Sequence, residues 1–249
     1  MLTKDQIKKM EVACKLAAQS LYDTGKHVRP GISTNELDQI AFDWCKTNNA
    51  IPASLNYHGY PKSICTSINS VICHGLPDNT VLKEGDIINI DIAIKKDGFI
   101  GDNSAMFYVG NVSDRAKKIS ETAKEAMMKG IEAVTPNGTT GDIGFATSKY
   151  VTRQGYHVVR EIGGHGVNSI YHDEPFIPSF GKKGRGEILR PWTTFTVEPM
   201  INETAADMIE YSIAGSSVKW YETADKCLSA QWENTVLLTD KGYEILTVY

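Results

Sequence analysis

Pro30-Gly31-Ile32-Ser33-Thr34-Asn35-Glu36-Leu37 is paralleled by Pro136-Asn137-Gly138-Thr139-Thr140-Gly141-Asp142-Ile143. In each stretch a proline is followed at fixed offsets by a hydroxyl residue, a second hydroxyl residue, an acid and an aliphatic residue. This is the chemistry of a turn feeding a helix: the first hydroxyl caps free N–H groups and the acid reaches back to the cap. Capping boxes are common, and two can align by chance. Here each follows a long helical stretch and precedes a run of strands, so an internal duplication explains the repeat better. The predicted fold is α+β, one domain over residues 1–249, with halves of about 1–110 and 111–249.

Outward from the repeat, helices and strands alternate. Residues 3 to about 22 place Ile7, Met10, Cys14, Ala17 and Leu21 on a helical stripe, and Thr3 with Gln6 can form a further capping box. A second helix starts at Ser33 and runs to about residue 49. Strands follow at about 63–72, 86–95 and 99–109. The second half opens with helices near 113–133 and 139–154, then strands at about 157–162, 194–200, 208–216, 227–238 and 243–246. A site between the halves of such a fold draws ligands from both.

Composition narrows the class. The chain has 249 residues, 41% hydrophobic and 22% charged, with a formal charge of −4. These are ordinary values for a globular protein, and they leave no electrostatic footprint for nucleic acid. Lys182-Lys183-Gly184-Arg185 is the one dense basic run and reads as a solvated loop. The polar start Met1-Leu2-Thr3-Lys4-Asp5-Gln6 carries no signal core, and no stretch nears the roughly 18 apolar residues of a membrane span. Five scattered cysteines without a CxxC pair fit reduced thiols in a cytoplasm.

Acidic residues in apolar surroundings point to the chemistry. In Ile87-Ile88-Asn89-Ile90-Asp91-Ile92-Ala93-Ile94, large aliphatics alternate with Asn89, Asp91 and Ala93, so one strand face is packed and the other polar or small. Lys95-Lys96-Asp97-Gly98 then turns the chain. A two-residue loop at Lys96-Asp97 pairs Asp91 with Asp102, their Cβ atoms about 5 Å apart. Like charges so placed repel unless something positive lies between them. Two solvent-facing aspartates on an exposed hairpin are the alternative; the aliphatic setting of Asp91 speaks for metal. His165 sits in Gly163-Gly164-His165-Gly166, Glu198 in Thr196-Val197-Glu198-Pro199, and Glu233 in Gln231-Trp232-Glu233-Asn234. Each is weak alone. Together, four carboxylates can neutralise two divalent cations, and one imidazole completes a plausible two-metal ligand set.

The motifs in order are Tyr57-His58-Gly59-Tyr60-Pro61-Lys62-Ser63, Cys73-His74-Gly75-Leu76-Pro77, Asn89-Ile90-Asp91, Gly101-Asp102, Gly164-His165-Gly166, His172-Asp173-Glu174-Pro175, Val197-Glu198-Pro199-Met200 and Ala230-Gln231-Trp232-Glu233. From about residue 3 to the carboxy terminus the chain resembles a type I methionine aminopeptidase of the duplicated pita-bread fold, an antiparallel sheet covered by helices. The resemblance implies a dinuclear metallopeptidase of protein maturation that removes the initiator methionine from nascent polypeptides, preferring a small second residue. It implies Asp91, Asp102, His165, Glu198 and Glu233 as ligands of two divalent ions (Mn, Fe, Co or Zn). Glu198 matches the proton shuttle. His74 and His172 match residues that contact the substrate backbone and stabilise the tetrahedral intermediate. Tyr57, Tyr60, Cys65 and Tyr171 match the methionine pocket. A cytoplasmic monomer acting on methionyl peptides, without nucleic-acid or membrane partners, is the corresponding expectation.

The chain departs from the family pattern at several places. Tyr171 stands where phenylalanine is frequent, and Asn168-Ser169-Ile170 follows Gly166-Val167 where many relatives have a further glycine. Alignment through Glu222-Thr223 puts Lys219 at the position of a common pocket tryptophan, with Trp220 one residue along. Asn234 replaces a frequent histidine, and Trp192-Thr193 a usual Gly-Met turn. Two rivals follow: an aminopeptidase of other specificity, such as cleavage before proline, and a non-catalytic pita-bread module that binds polypeptide. Retention of all five ligand positions favours the enzyme.

Overall fold

A computed structural model describes residues 1–248; Tyr249, the last residue of the expected domain, lies outside the described residues. The helices are α1 (Lys4–Gly25), α2 (Thr34–Thr47), α3 (Asp114–Glu132) and α4 (Thr140–Arg153). The anticipated caps form. Thr3 Oγ1 accepts from Gln6 N–H while Gln6 Oε1 accepts from Thr3 N–H, and Ser33 with Glu36 does the same. Thr139 N–H donates to Asp142 Oδ2 at 2.8 Å. The two copies of the repeat also behave alike in tertiary structure. Ser33 forms an antiparallel bridge with Val81, and Thr139 forms one with Ile188.

Among the described residues, one antiparallel sheet of nine strands crosses both halves. Its central order is Ile87–Lys96, Phe99–Tyr108, Glu233–Leu238, Thr193–Val197, Gly164–Gly166. The halves meet where Glu233 faces Ser104 and Asn234 faces Asn103. Ile88, Ile90, Ile92 and Ile94 are all buried, packed with Ala17 and Leu21 of α1 and Leu37 and Ala41 of α2. Each such side chain contributes about 1.5–3 kcal/mol on burial. Behind the second half, Phe195, Val197, Val236 and Leu238 pack with Met127 and Ile131 of α3 and Ile143 of α4.

The hairpin turns one residue later than the sequence suggested. Lys96 pairs with Phe99, so the loop is Asp97-Gly98, at φ 49° and 83°. Positive φ at both central residues is what a type I′ turn demands, and glycine meets it without strain. Asp91 therefore faces Ser104 and Asp102 faces Ala93, rather than each other. The register moves by two residues, and side chains alternate with period two, so both aspartates stay on one face as diagonal neighbours.

Three anticipated strands are broken. Residues 63–72 divide into Cys65–Ile68 and Val71–Cys73 around Asn69, which has φ 51°. Residues 194–200 divide into Thr193–Val197 and Met200–Asn202, because Pro199 has no N–H for a ladder. Residues 227–238 divide into Ser229–Gln231 and Glu233–Leu238. Met200–Asn202 is the centre of a separate small sheet, flanked by Ser229–Gln231 and His157–Val158. The strands expected at 157–162 and 208–216 are shorter, His157–Val158 and Met208–Ser212. Gly164–Gly166, Asp173–Ile177 and Lys219–Thr223 are strands the periodicity did not reveal.

Candidate metal centre

Asp91, Asp102, His165, Glu198 and Glu233 all line one cavity of about 250 Å³, shared with His74, His172, Tyr57, Tyr60, Cys65 and Tyr171. The first-half hairpin supplies Asp91 and Asp102. Glu198 and Glu233 stand where the chain leaves one sheet for the other, Glu198 just past Thr193–Val197 and Glu233 at the start of Glu233–Leu238. His165 lies on Gly164–Gly166, pressed close to its neighbour. A Cβ on Gly164 would lie 2.3 Å from the Thr196 carbonyl oxygen, so glycine is required there.

The acids are short of partners. Asp91 Oδ1, Asp102 Oδ1 and Glu233 Oε1 are buried without a hydrogen bond among the described residues. Burial is the main reason that Asp91 is pushed up to about 7 and Glu198 up to about 8, Asp91 adding to the rise at Glu198. Burial, with the mutual repulsion of the acids, raises Asp102 and Glu233 well above the usual carboxylate range. Thr196 Oγ1–H and Gln231 Nε2–H donate to Glu198 at 2.7 and 3.0 Å and partly oppose the effect.

His165 fixes the sign of what the acids await. Its Nδ1–H donates to the Gly166 carbonyl at 3.0 Å, since a carbonyl can only accept. Burial holds the ring down at about 4, so it is neutral near pH 7. Nε2 therefore presents a bare lone pair to Asp102 Oδ2 at 3.6 Å and Glu198 Oε1 at 3.5 Å. At these distances a protonated ring would make ion pairs; a neutral one with an unprotonated Nε2 does not. Once the acids give up their protons, lone pairs face lone pairs in a buried site, and a cation fits between them. Asp102, His165 and Glu233 bring one donor atom each to within 4.8 Å of one another, as ligands of a single ion would. An imidazole fixed by a carbonyl through its other nitrogen is the usual state of a metal-ligating histidine. Oxygen donors with one imidazole suit divalent ions such as Mn, Fe, Co or Zn.

The opposite wall is aromatic. His172 packs against His165 (ring centroids 4.1 Å apart) and stacks on Tyr171 (4.4 Å, 20° between planes), with Tyr57 at 5.0 Å. Burial keeps His172 far below the usual imidazole range and His74 also lowered. His74 Nδ1–H donates to the Lys219 carbonyl at 3.0 Å, so its Nε2 carries a lone pair. His74 has φ 56°, a strained setting for a residue with a Cβ. Cys65 is buried and its thiol raised, hence not a thiolate.

Sequence reasoning missed Ser54, Val218 and Tyr221, which also line the cavity. Tyr221 enters because Lys219–Thr223 pairs with Val71–Cys73, placing Tyr221 opposite Cys73. Of the two candidates near the common tryptophan position, Lys219 lines the cavity. Trp220 instead stacks on Tyr211, with centroids 4.0 Å apart and planes 11° apart.

Residues 8–240 match the profile of metallopeptidase family M24. The chain is 46% identical to the methionine aminopeptidase of Rickettsia prowazekii over 246 residues, 99% of this chain and 94% of that protein. It is 46% identical to methionine aminopeptidase A of Synechocystis over 249 residues, 100% of this chain and 97% of that one. The crystal structure of the Rickettsia prowazekii enzyme superposes with a TM-score of 0.96 at 45% identity, covering 100% of this chain and 99% of that chain.

Proposed function

Because the chain belongs to metallopeptidase family M24, and to the methionine aminopeptidases within it, we propose that it releases N-terminal methionine from new polypeptides whose second residue is small. The observation that carries this reading is the set of buried carboxylate oxygens without partners, facing a bare His165 Nε2. Asp91, Asp102, His165, Glu198 and Glu233 would hold two divalent ions, drawn from Mn, Fe, Co and Zn. Such ions supply Lewis-acid polarisation of the scissile carbonyl and acidify water at neutral pH.

The chain's own residues do the rest. Glu198 holds the proton given up by water and returns it to the leaving amine, its carboxylate oriented by Thr196 and Gln231. His74 Nε2, unprotonated because Nδ1–H is committed to Lys219, accepts a peptide N–H of the substrate. The ring nitrogens of His172 make no hydrogen bond among the described residues, leaving an N–H to donate to the oxyanion. Tyr57, Tyr60, Cys65 and Tyr171 enclose the methionine side chain, whose thioether suits aromatic neighbours.

The test measures methionine release from Met-Ala-Ser under several divalent ions, beside Xaa-Pro peptides and with Asp91→Ala as control. Release from Met-Ala-Ser alone, lost in the folded variant, is the expected result. No release under any ion from a folded protein would overturn the enzyme. Metal analysis of the loaded protein and sedimentation test the two ions and the monomer that go with this function.

A further inference from the structure

Ser54 Oγ lies 3.0 Å from Tyr171 Oη, and both residues face the cavity. They are 5% and 8% exposed. Two hydroxyls carry two protons. One proton makes the bond between them, and neither hydroxyl has another hydrogen-bond partner among the described residues. The second O–H has only the cavity to point into. Tyr60 differs: its hydroxyl is committed to the carbonyls of Ile64 and Gly75, at 3.1 and 3.2 Å. The Tyr171 ring is held in place by His172 stacked on it and by Tyr57 at 4.8 Å, so the hydroxyl pair is a fixed feature of the wall.

A buried donor facing a wholly apolar side chain is unfavourable, so the wall suits an occupant that brings an acceptor. The thioether sulfur of methionine is a weak one. Oxidation to the sulfoxide adds a strongly accepting oxygen at the same place on an unbranched chain. We propose that the Ser54–Tyr171 pair reads the first side chain for a hydrogen-bond acceptor, so that the pocket takes peptides beginning with methionine sulfoxide as well as methionine. The inference rests on the aminopeptidase function proposed above. The same peptide bond is hydrolysed, and the sulfoxide leaves unchanged as free methionine sulfoxide, so no redox partner is needed.

The test compares kcat/KM of the metal-loaded full chain for Met-Ala-Ser, Met(sulfoxide)-Ala-Ser and norleucine-Ala-Ser. Norleucine keeps the shape and lacks the acceptor. The wild type is expected to cleave the sulfoxide peptide about tenfold faster than the norleucine peptide. Either single variant, Ser54→Ala or Tyr171→Phe, leaves one hydroxyl and narrows that ratio in part. The double variant removes both partners, a change that is often close to neutral for folding, and is expected to bring the ratio to about one or below. A double variant that keeps the wild-type ratio would overturn the inference. So would a wild type that releases methionine yet cleaves the sulfoxide peptide no faster than norleucine, a result that needs no variant. A wild type that releases none of the three first residues overturns the proposed function and the inference with it.

Discussion

Replacing Glu233 by glutamine should stabilise the protein without metal and weaken it with metal. Among the described residues, Glu233 has its Oε1 buried and unpartnered, and its donor atom lies within 4.8 Å of those of Asp102 and His165. Two unit charges at that distance repel by about 3.5 kcal/mol at an effective dielectric constant of 20. The carboxyl avoids this by holding its proton: burial, then Asp102, Glu198 and Asp91, raise it well above 4.5. Its folded affinity for protons thus exceeds its unfolded one. Stability from this group is full below the unfolded value and is lost as pH rises toward the folded one. The loss is about 1.4 kcal/mol per pH unit while the folded carboxyl stays protonated and the unfolded one is ionised. Asp91 (about 7) and Glu198 (about 8) slope the same way between roughly pH 4 and 8. Glutamine has nearly the same shape and does not titrate. In urea unfolding with chelator, Glu233→Gln should gain under about 1 kcal/mol at pH 5 and about 2–4 kcal/mol at pH 8. Saturating Mn(II) or Co(II) should reverse the order, since binding at a thousand times Kd adds about 4 kcal/mol to the wild type. A chelated variant less stable than wild type at pH 8, or equal stabilisation of both proteins by metal, would refute the reasoning.

Other substitutions separate the roles within the cavity. His74→Ala should lower kcat by about a hundredfold or more with metal content almost unchanged, by peptide assay and elemental analysis. A matching loss of metal would show that His74 holds ions rather than substrate. Thr196 Oγ1 accepts from His165 N–H at 3.0 Å and donates to Glu198 Oε1 at 2.7 Å, so Thr196→Val loosens both. Equilibrium dialysis should show metal affinity about ten- to a hundredfold lower, and unchanged affinity would clear Thr196 of an orienting role. Gly164→Ala drives a methyl group to 2.3 Å from the Thr196 carbonyl, which should cost about 1–3 kcal/mol in urea unfolding and reduce metal uptake. Wild-type stability and uptake would mean that the strand yields freely at this point.

The fold was legible where a physical period is short and strict. Helix starts at Thr3, Ser33 and Thr139 followed from capping chemistry, and all formed. The hairpin tolerated an error in its turn. Moving the loop from Lys96-Asp97 to Asp97-Gly98 changed every cross-strand partner, yet the shift of two residues left Asp91 and Asp102 on the cavity face. Glu198 and Glu233 were harder. Pro199 announced a strand end, but nothing local said that Trp232 would interrupt a second strand so that both acids fall at a crossing between sheets. That crossing depends on the long-range pairing of Met200–Asn202 with Ser229–Gln231.

The cavity wall shows the same dependence on pairing. Trp220 was the more inviting pocket residue by type, and the choice turned on strand parity. In Lys219–Thr223, alternate residues face opposite sides. Tyr211 pairs with Trp220, and their rings stack, which commits that face to the ribbon. Lys219 and Tyr221 are left facing the cavity. A lysine beside four acids invites the idea that its ammonium neutralises them in place of metal. The geometry argues otherwise: Lys219 Nζ donates to Ser212 Oγ at 2.8 Å and lies 3.9 Å from Glu210 Oε1, and its backbone carbonyl holds His74. With that charge engaged by Ser212 and Glu210, no lysine among the described residues pairs with the buried carboxylates, and Asp91 Oδ1, Asp102 Oδ1 and Glu233 Oε1 keep their capacity for cations.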